Sequence, residues 1–572
     1  MDAHRVQIGD IFSKNRKLEV PFYQRAYVWD TNQWERLLSD MEFITETNNP
    51  YFIGSIILKS TKTSVADSYS DKRIIVDGQQ RLTTLVIFFK ALYLLKKDPE
   101  SFNFDFRIKN KEIALQTGIN DEDAFEKVVD YSSTERIDNP RSSKIIDAFN
   151  YFLSNIKPDQ VSPESIQKYL QFVCIEIDEN EDEQKIFDTI NSLGVKLTTA
   201  ELLKNYFYRK EDRQQYETTW KQMFEKDDDT VAYWDKETSS GSNIRSMIDV
   251  FFDAYFQQFI ESPRYSISAE DKKAYQRGEE LFSSYKHFID KYCNKDKSVV
   301  LNDLISYAQK FKDILDPDNL ERKTPSSSGI ERMNVIVFGL NNTTIVPYIL
   351  YIEMNVLDEA EKNKMYQLLE AYLMRRMVTH ENTKNYNKQF TQYIRNEIDS
   401  SEKLENALKE SDDSTMKIPT NEELLFGFQN SRLPNKQTKG ILYLLESAIR
   451  SEKAGVEILG FNSYSLEHLL PKKWRNNWGA LDDEKARERD YKLLTLGNLA
   501  IITQKLNASI KDADWETKKR GKKGNDGLNS CSSGLFTMEY VLNQDEWNED
   551  KIETRAKWLY SKASNIWCIG EQ

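Results

Sequence analysis

Apolar and polar positions along this chain change rhythm twice. Near the start, short β-branched runs alternate with polar turns, so that Tyr51–Leu58 (YFIGSIIL) and Arg73–Val76 (RIIV) predict strands. From Leu82 the run LTTLVIFFKALYLLKK has the length of a helix and is apolar on nearly every side, which predicts a buried helix. Before it, Val20–Trp29 (VPFYQRAYVW) sets Gln24 and Arg25 among aromatic residues, ahead of a helix for which Thr31 is the expected cap. After it, Phe187–Asn205 (FDTINSLGVKLTTAELLKN) predicts one helix stopped at Gly194 and a second opened by a Thr198/Glu201 capping box. From about Ile244 to Glu397 the rhythm is that of amphipathic helices. The last third, with Tyr464–Trp515, returns to short apolar runs between polar loops and predicts a small α/β insert.

Three polar stretches break this pattern: 227–243, 316–329 and 410–421 lack helical periodicity and suggest where domains end. A chain of 572 residues exceeds what one core organises. The expectation is three parts, 1–225, 226–400 and 401–572, in a predominantly helical α+β protein. No run reaches the ~18 to 20 apolar residues that span a bilayer, and the start MDAHRVQIGDIF lacks the regions of a signal peptide. The protein is therefore expected to be cytoplasmic, with no membrane partner. Cys174, Cys293, Cys531 and Cys568 lie far apart with no CxxC pair, so neither a disulfide framework nor a thiolate zinc site is encoded locally.

The net charge of −13 excludes indiscriminate coating of nucleic acid and confines any DNA surface to a local patch. Such a patch exists: Lys472 to Asn525 holds fourteen Lys and Arg against eight Asp and Glu. Within it, Lys518–Lys523 (KKRGKK) precedes a Gly, Ser and Asn-rich run and reads as a mobile basic loop, suited either to a phosphate backbone or to solvent.

The segment Ile74–Thr84 runs from a strand through an Asp77-Gly78 turn, past Gln79 and Gln80, into a helix with Arg81 in its first turn. Free N–H groups and the dipole at such a helix start favour anions, and Arg81 can add a bidentate phosphate contact. A plain Asp-Gly turn with two solvated glutamines fits the same letters. Asn191, near the Gly194 turn, is not needed by the caps and can donate and accept toward a base or sugar. No Walker A pattern is present, so a phosphate site here needs a different cradle.

The chain has four histidines, His4, His287, His380 and His468. His468 has a carboxylate beside it (Glu467) and basic residues after it; Leu496-Gly497-Asn498-Leu499 and then Asn507 follow downstream. Phosphodiester hydrolysis needs a base for water and a cation for the developing charge. A neutral imidazole suits the first, and the oxygens of Glu467 and Asn507 suit Mg²⁺ or Mn²⁺ over zinc. In a regular strand Glu467 and His468 would face apart, so they must stand at a strand end, consistent with Pro471.

The QR-x-Y-x-W pattern at Gln24–Trp29, the FIG-S-I-I-L strand, DGQQRLTTL at Asp77–Leu85 and F-x-x-I-N-S-x-G-x-x-L-T from Phe187 together resemble the N-terminal domain of GmrSD-type (type IV, modification-dependent) restriction endonucleases over roughly residues 5–210. They resemble ParB-like nucleotide domains more distantly. The pattern E-H-x-x-P at Glu467–Pro471, L-G-N-L at Leu496–Leu499, and Asn507 with Lys511 resembles the HNH, or ββα-metal, nuclease domain of single-chain members. Arg375-Arg376 and the helix through Phe390 resemble the helical part that precedes it.

The resemblance implies a ParB-like α/β N-terminal domain, a helical middle and a C-terminal HNH nuclease insert. It implies nucleoside triphosphate binding and hydrolysis, through Gln24, Arg25, Asp77, Gly78, Gln79, Gln80, Arg81 and Asn191, and a part in sensing modified DNA. It makes His468 the general base, Glu467 and Asn507 the metal ligands, and Asn498 a catalytic-site residue that braces the loop between them. Glu467 departs from the Asp common in HNH nucleases. Lys472, Lys473, Lys511, Lys518, Lys519 and Arg520 are the expected contacts to double-stranded DNA. A symmetric homodimer would supply the second site that a double-strand cut wants. Two rivals stay open: an N-terminal domain that binds DNA or nucleotide without turnover, and a non-catalytic interaction protein, against which the intact Glu467, His468, Asn498 and Asn507 set argues.

Overall fold

The computed structural model describes residues 2–13, 15–21, 24, 26–61, 63, 69–109, 111–140, 142–178, 199–208, 212–240, 243–275, 280–410, 416–450, 457–522, 525–532 and 534–569. Arg25, Asn191, Gly194 and Thr198 lie outside them, and with them the predicted helix–turn–helix from Phe187. The protein is a mostly helical α+β chain that divides into two compact units, Met1–Gln215 and Tyr216–Gln572.

The first unit is built on a mixed sheet of six strands: β1 (Asp2–Gln7), β2 (Arg16–Glu19), β3 (Tyr51–Thr61), β4 (Asp71–Asp77), β5 (Leu115–Gln116) and β6 (Leu170–Ile177). Their spatial order is β1-β6-β3-β4-β2-β5. Pairs β1/β6 and β3/β4 are antiparallel, and the others are parallel. Both strands expected from the sequence are present, each longer than its apolar stretch because flanking polar residues continue the ladder. The buried helix is Gln79–Leu95, enclosed on nearly every side, with Leu82, Leu85, Val86, Phe88 and Phe89 all 0% exposed.

The helix ahead of β3 spans Thr31–Thr47, and here the cap differs from expectation. Asp30 is the cap, its carboxylate accepting from Asn32 N at 2.9 Å, and Thr31 is the first helical residue. An Asp side chain reaches the second N–H of the helix readily, so the better acceptor one residue earlier wins the position.

Asp121 presents an acid in an unusual setting. It accepts the Tyr27 N–H at 2.8 Å, and burial raises its carboxyl to about 6 against that hydrogen bond. A raised acid binds protons more tightly folded than unfolded, so its stabilising contribution is complete below about pH 4 and is lost as pH rises through about 6. Asp121→Asn keeps the acceptor and removes the charge. Calorimetry is expected to show the variant matching the parent at about pH 3.5 and exceeding it by on the order of 2 kcal/mol at about pH 8; an equal or lower stability at the higher pH would sink this reading.

The second unit is largely helical. The stretch from 227, read from sequence as irregular, instead forms a helix at Asp228–Asp235 capped by Asp227, whose carboxylate accepts from Thr230 N at 2.8 Å. A hairpin of Glu237–Ser240 and Asn243–Ser246 follows. Acidic residues suit a helix start, so the run that looked like a loop is a charged first turn. The helix Met247–Glu261 is buried almost all round rather than amphipathic, and it packs against Val346–Asn355. Farther on, Asn421–Asn430 and Asn435–Ile449 pack on the long helix Glu549–Ile566. No helix among the described residues is long and apolar enough to cross a membrane.

Candidate active site

Near the end of the second unit, the strand Tyr464–His468 pairs antiparallel with Leu499–Thr503, setting Glu467 opposite Ala500 and His468 opposite Leu499. The helix Gln504–Ile510 follows the second strand directly and packs on both. This strand–strand–helix unit is the small insert expected from sequence. His468 is the last residue of its strand, so the regular alternation of faces ends at it.

Asn507 joins them from the helix. Its Nδ2 donates to Ser465 Oγ at 2.9 Å and to the Leu466 carbonyl at 3.1 Å. Both amide protons are thus spent on the strand that carries Glu467, and Oδ1 has no partner among the described residues.

Glu467 is 5% exposed. Its carboxylate accepts from Lys518 Nζ, which also donates to the His468 carbonyl at 2.7 Å. Burial pushes the Glu467 carboxyl up and the Lys518 ammonium down, with their mutual attraction opposing both shifts. His468 is held down to about 4, first by burial and then by Lys472 and Lys518. It is therefore a neutral imidazole near pH 7, and its ring has no hydrogen-bond partner among the described residues.

Asn498 is fully buried with its amide saturated. Oδ1 accepts from Leu470 N at 2.8 Å and Trp547 Nε1 at 2.9 Å; Nδ2 donates to the carbonyls of Leu470 at 2.8 Å and Leu493 at 2.9 Å. It pins the turn after His468 and has no valence left for a substrate. Gly497 before it lies so close to the last helix that a Cβ would come within 2.1 Å of the Ile552 carbonyl oxygen. Gly497→Ala is expected to destabilise the second unit by ~1 to 3 kcal/mol, the range for overpacking, read as a lower Tm; an unchanged Tm would show that the helix gives way freely.

In the first unit the strand-to-helix junction forms as anticipated. Asp77 ends β4, Gly78 takes the left-handed φ of 95°, and Gln79 opens the helix. A Cβ on Gly78 would lie 2.6 Å from Ile56 Cγ2. Arg81 Nη1 donates to the Ser55 carbonyl, and Nη2 lies 3.5 Å from Asp77 Oδ2. Its guanidinium packs over Gly54, where a Cβ would meet Nη1 at 2.3 Å.

The glutamines here hold backbone. Gln24 Nε2 donates to the Val76 carbonyl at 2.8 Å, while Gln80 accepts from Val28 N at 3.0 Å and donates to the Ala26 carbonyl at 3.2 Å. Beneath them Trp34 Nε1 donates to Tyr27 Oη (2.8 Å), and Tyr27 Oη lies 2.7 Å from Thr84 Oγ1. One buried chain thus ties the segment around Tyr27 to the Gln79–Leu95 helix. The structure brings together Gln24, Asp77, Gly78, Gln79, Gln80 and Arg81; Arg25 and Asn191 are outside the described residues.

Comparison with family models matches residues 8–208 to the N-terminal domain of the GmrSD restriction endonuclease and residues 374–562 to the C-terminal domain of GmrSD restriction endonucleases. The chain belongs to the GmrSD restriction endonuclease family. Both domains stand in one polypeptide, in that order, and the two matches together cover about two thirds of it. The search of curated proteins finds no match. Membership in GmrSD makes the chain a nuclease, a hydrolase whose substrate is DNA.

The basic residues of this GmrSD chain divide sharply. Lys472, Lys473, Lys511 and Arg520 are exposed; Lys518 and Lys519 are buried. The expected mobile loop is instead a helix, Trp515–Arg520, followed by a short pairing of Gly521–Lys522 with Asn525–Asp526. Lys518 serves Glu467, and Lys519 Nζ donates to the Gln544 carbonyl at 2.7 Å, so neither ammonium is free to follow a DNA backbone. Asp514 caps this helix, and the apolar face of Trp515 draws the next turn inward.

Arg555 is a residue that sequence reasoning missed. Fully buried on the last helix, it donates from Nη1 to the carbonyls of Gly497 (2.9 Å) and Leu499 (2.7 Å), holding both sides of Asn498. A charged residue at an inward position of an otherwise amphipathic helix is the one signal that could have exposed it.

Proposed function

We propose that this GmrSD protein is a nucleoside triphosphate-responsive, metal-dependent endonuclease that restricts foreign DNA according to its modification state, with His468 as general base. The observation that supports it is the strand–strand–helix unit, whose adjoining elements carry a neutral His468, the Glu467 carboxylate and an Asn507 oxygen with no partner among the described residues. On this reading residues 1–225 sense, 226–400 connect and 401–572 cut, in a cytoplasmic setting. The first part is a ParB-like domain, and the last holds an HNH (ββα-metal) nuclease.

The donor set fits a hard divalent cation. Asn507 has an acceptor oxygen to spare, and the Glu467 carboxylate would take the cation in place of the Lys518 ammonium that it now holds. Glu467 and Asn507 would hold Mg²⁺ or Mn²⁺, which supplies stabilisation of charge on the scissile phosphate. His468 takes a proton from water as the water oxygen bonds to phosphorus, and the bond from phosphorus to the leaving sugar oxygen breaks. Asn498 and Arg555 are positioning residues: they fix the chain on either side of the hairpin and touch no substrate. Lys472, Lys473, Lys511 and Arg520 supply exposed positive charge for double-stranded DNA.

In the first unit the N-terminus of the Gln79–Leu95 helix, with Gln79 and Arg81, forms a phosphate cradle; the roles of Arg25 and Asn191 rest on the family resemblance, since both lie outside the described residues. Gln24 and Gln80 shape it through backbone hydrogen bonds. That bracing role also favours a second reading, in which the N-terminal part binds nucleotide or DNA without turnover; phosphate release separates the two. A homodimer would give paired cuts. The deciding experiment is cleavage of unmodified, methylated and glucosylated plasmid with and without each NTP. Cutting that follows modification and changes with NTP supports the proposal; cutting indifferent to both overturns it.

A further inference from the structure

Three turns beyond the Arg81 junction, on the same helix, Lys90 is 7% exposed. Its Nζ donates to the Val129 carbonyl at 2.6 Å and stands 4.8 Å from the centroid of the Phe102 ring. Those are its described partners, and no carboxylate is among them. The acid whose charge acts on it, Asp130, is ion-paired to Arg107 and largely solvent-exposed. A buried ammonium without a counter-ion is costly, and two of its three N–H donors are unassigned among the described residues.

Lys90 lines a cavity of about 780 Å³ together with Lys97, Arg107, Asn103, Ser132 and Ser133. Three cations against Asp130 leave a surplus of positive charge at its wall. Hydroxyl and amide groups supply neutral donors, and Leu94, Val129 and Tyr131 supply apolar surface. The volume is within the ~300 to 1,000 Å³ typical of small-molecule sites and is far larger than one phosphate needs.

We infer that this cavity is a second ligand site, separate from the Arg81 junction, for a small phosphorylated molecule of nucleotide size whose phosphate pairs with Lys90, Lys97 and Arg107. The position along the helix keeps the two sites apart: eleven residues at ~1.5 Å each put Lys90 about 16 Å from Gln79. A ligand phosphate would supply the anion that the buried ammonium lacks. Burial, then Arg107, brings the Lys90 ammonium down to about 8, which makes its amine reactive enough to report on occupancy.

The test is competitive acylation of the full chain at pH 7.5, with modification of Lys90 read by mass spectrometry. The probes are a nucleoside 5′-monophosphate, inorganic phosphate and the unphosphorylated nucleoside. The monophosphate is expected to lower Lys90 labelling at least five-fold, inorganic phosphate to do so only at higher concentration, and the nucleoside not at all. Lys97→Glu, a change at an exposed residue, should raise the monophosphate concentration needed by ten-fold or more. Arg81→Ala should leave protection intact, so that failure of the junction site and failure of this one are told apart. Labelling unaffected by the monophosphate, protection by the bare nucleoside, protection unchanged in Lys97→Glu, or protection lost in Arg81→Ala would each overturn the proposal.

Discussion

His468→Ala is expected to lower plasmid cleavage by on the order of 10²-fold or more, the usual contribution of a general base, while NTP binding and turnover stay as they were. The imidazole is neutral near pH 7 and has no hydrogen-bond partner among the described residues, whereas its neighbours are fixed by other bonds. Arg81→Ala should do the converse, weakening NTP binding and hydrolysis, because its guanidinium stands at a helix start in a different unit of the chain. Coupling between the sites would appear as altered cutting when NTP binds, commonly worth ~1 to 3 kcal/mol. Near-parental cutting by His468→Ala, or loss of both activities in a folded His468→Ala protein, contradicts the division of labour.

Lys518→Met should have the largest effect on stability. It removes the one cation held against Glu467 in the described structure, where the lysine side chain is 0% and the glutamate side chain 7% exposed. Breaking a buried pair from one side typically costs ~3 to 5 kcal/mol, because the remaining charge is stranded. Without divalent metal the variant is expected to melt several degrees lower than the parent. Mn²⁺ should restore part of that loss, since a metal on Glu467 replaces the missing positive charge. Calorimetry with and without Mn²⁺ checks both statements. An unchanged melting temperature without metal would mean that Lys518 is not the counter-ion of Glu467; a Mn²⁺ effect no greater than in the parent would argue against Glu467 as a ligand.

What could be read from the sequence was local. The strands at Tyr51–Leu58 and Arg73–Val76 and the helix from Leu82 announce themselves by apolar runs between polar turns, and each is present. The Asp77-Gly78 junction and the strand–strand–helix unit around His468 were legible because each is encoded within a few dozen residues.

Long-range pairings were not legible. Nothing in KKRGKK tells Lys518 from Lys522, because burial of Lys518 depends on a carboxylate 51 residues earlier. Gln24 and Gln80 look like ligand contacts in sequence, yet each finds a backbone partner more than fifty residues away. Asn498 shows the same effect at the nuclease site: four hydrogen bonds to three residues, Leu470, Leu493 and Trp547, turn a candidate catalytic amide into a brace. The Asp30 cap and the Asp227-capped helix were missed for another reason, since adjacent polar residues compete for one cap and local sequence does not rank them.

The most direct test of the central claim is nicking of supercoiled plasmid by the full chain in Mg²⁺ or Mn²⁺, with EDTA and with Glu467→Gln as the two controls. The account predicts cutting in either metal, none in EDTA, and a loss in Glu467→Gln that extra Mn²⁺ does not fully repair. Full cutting in EDTA, or undiminished cutting by Glu467→Gln, would contradict it.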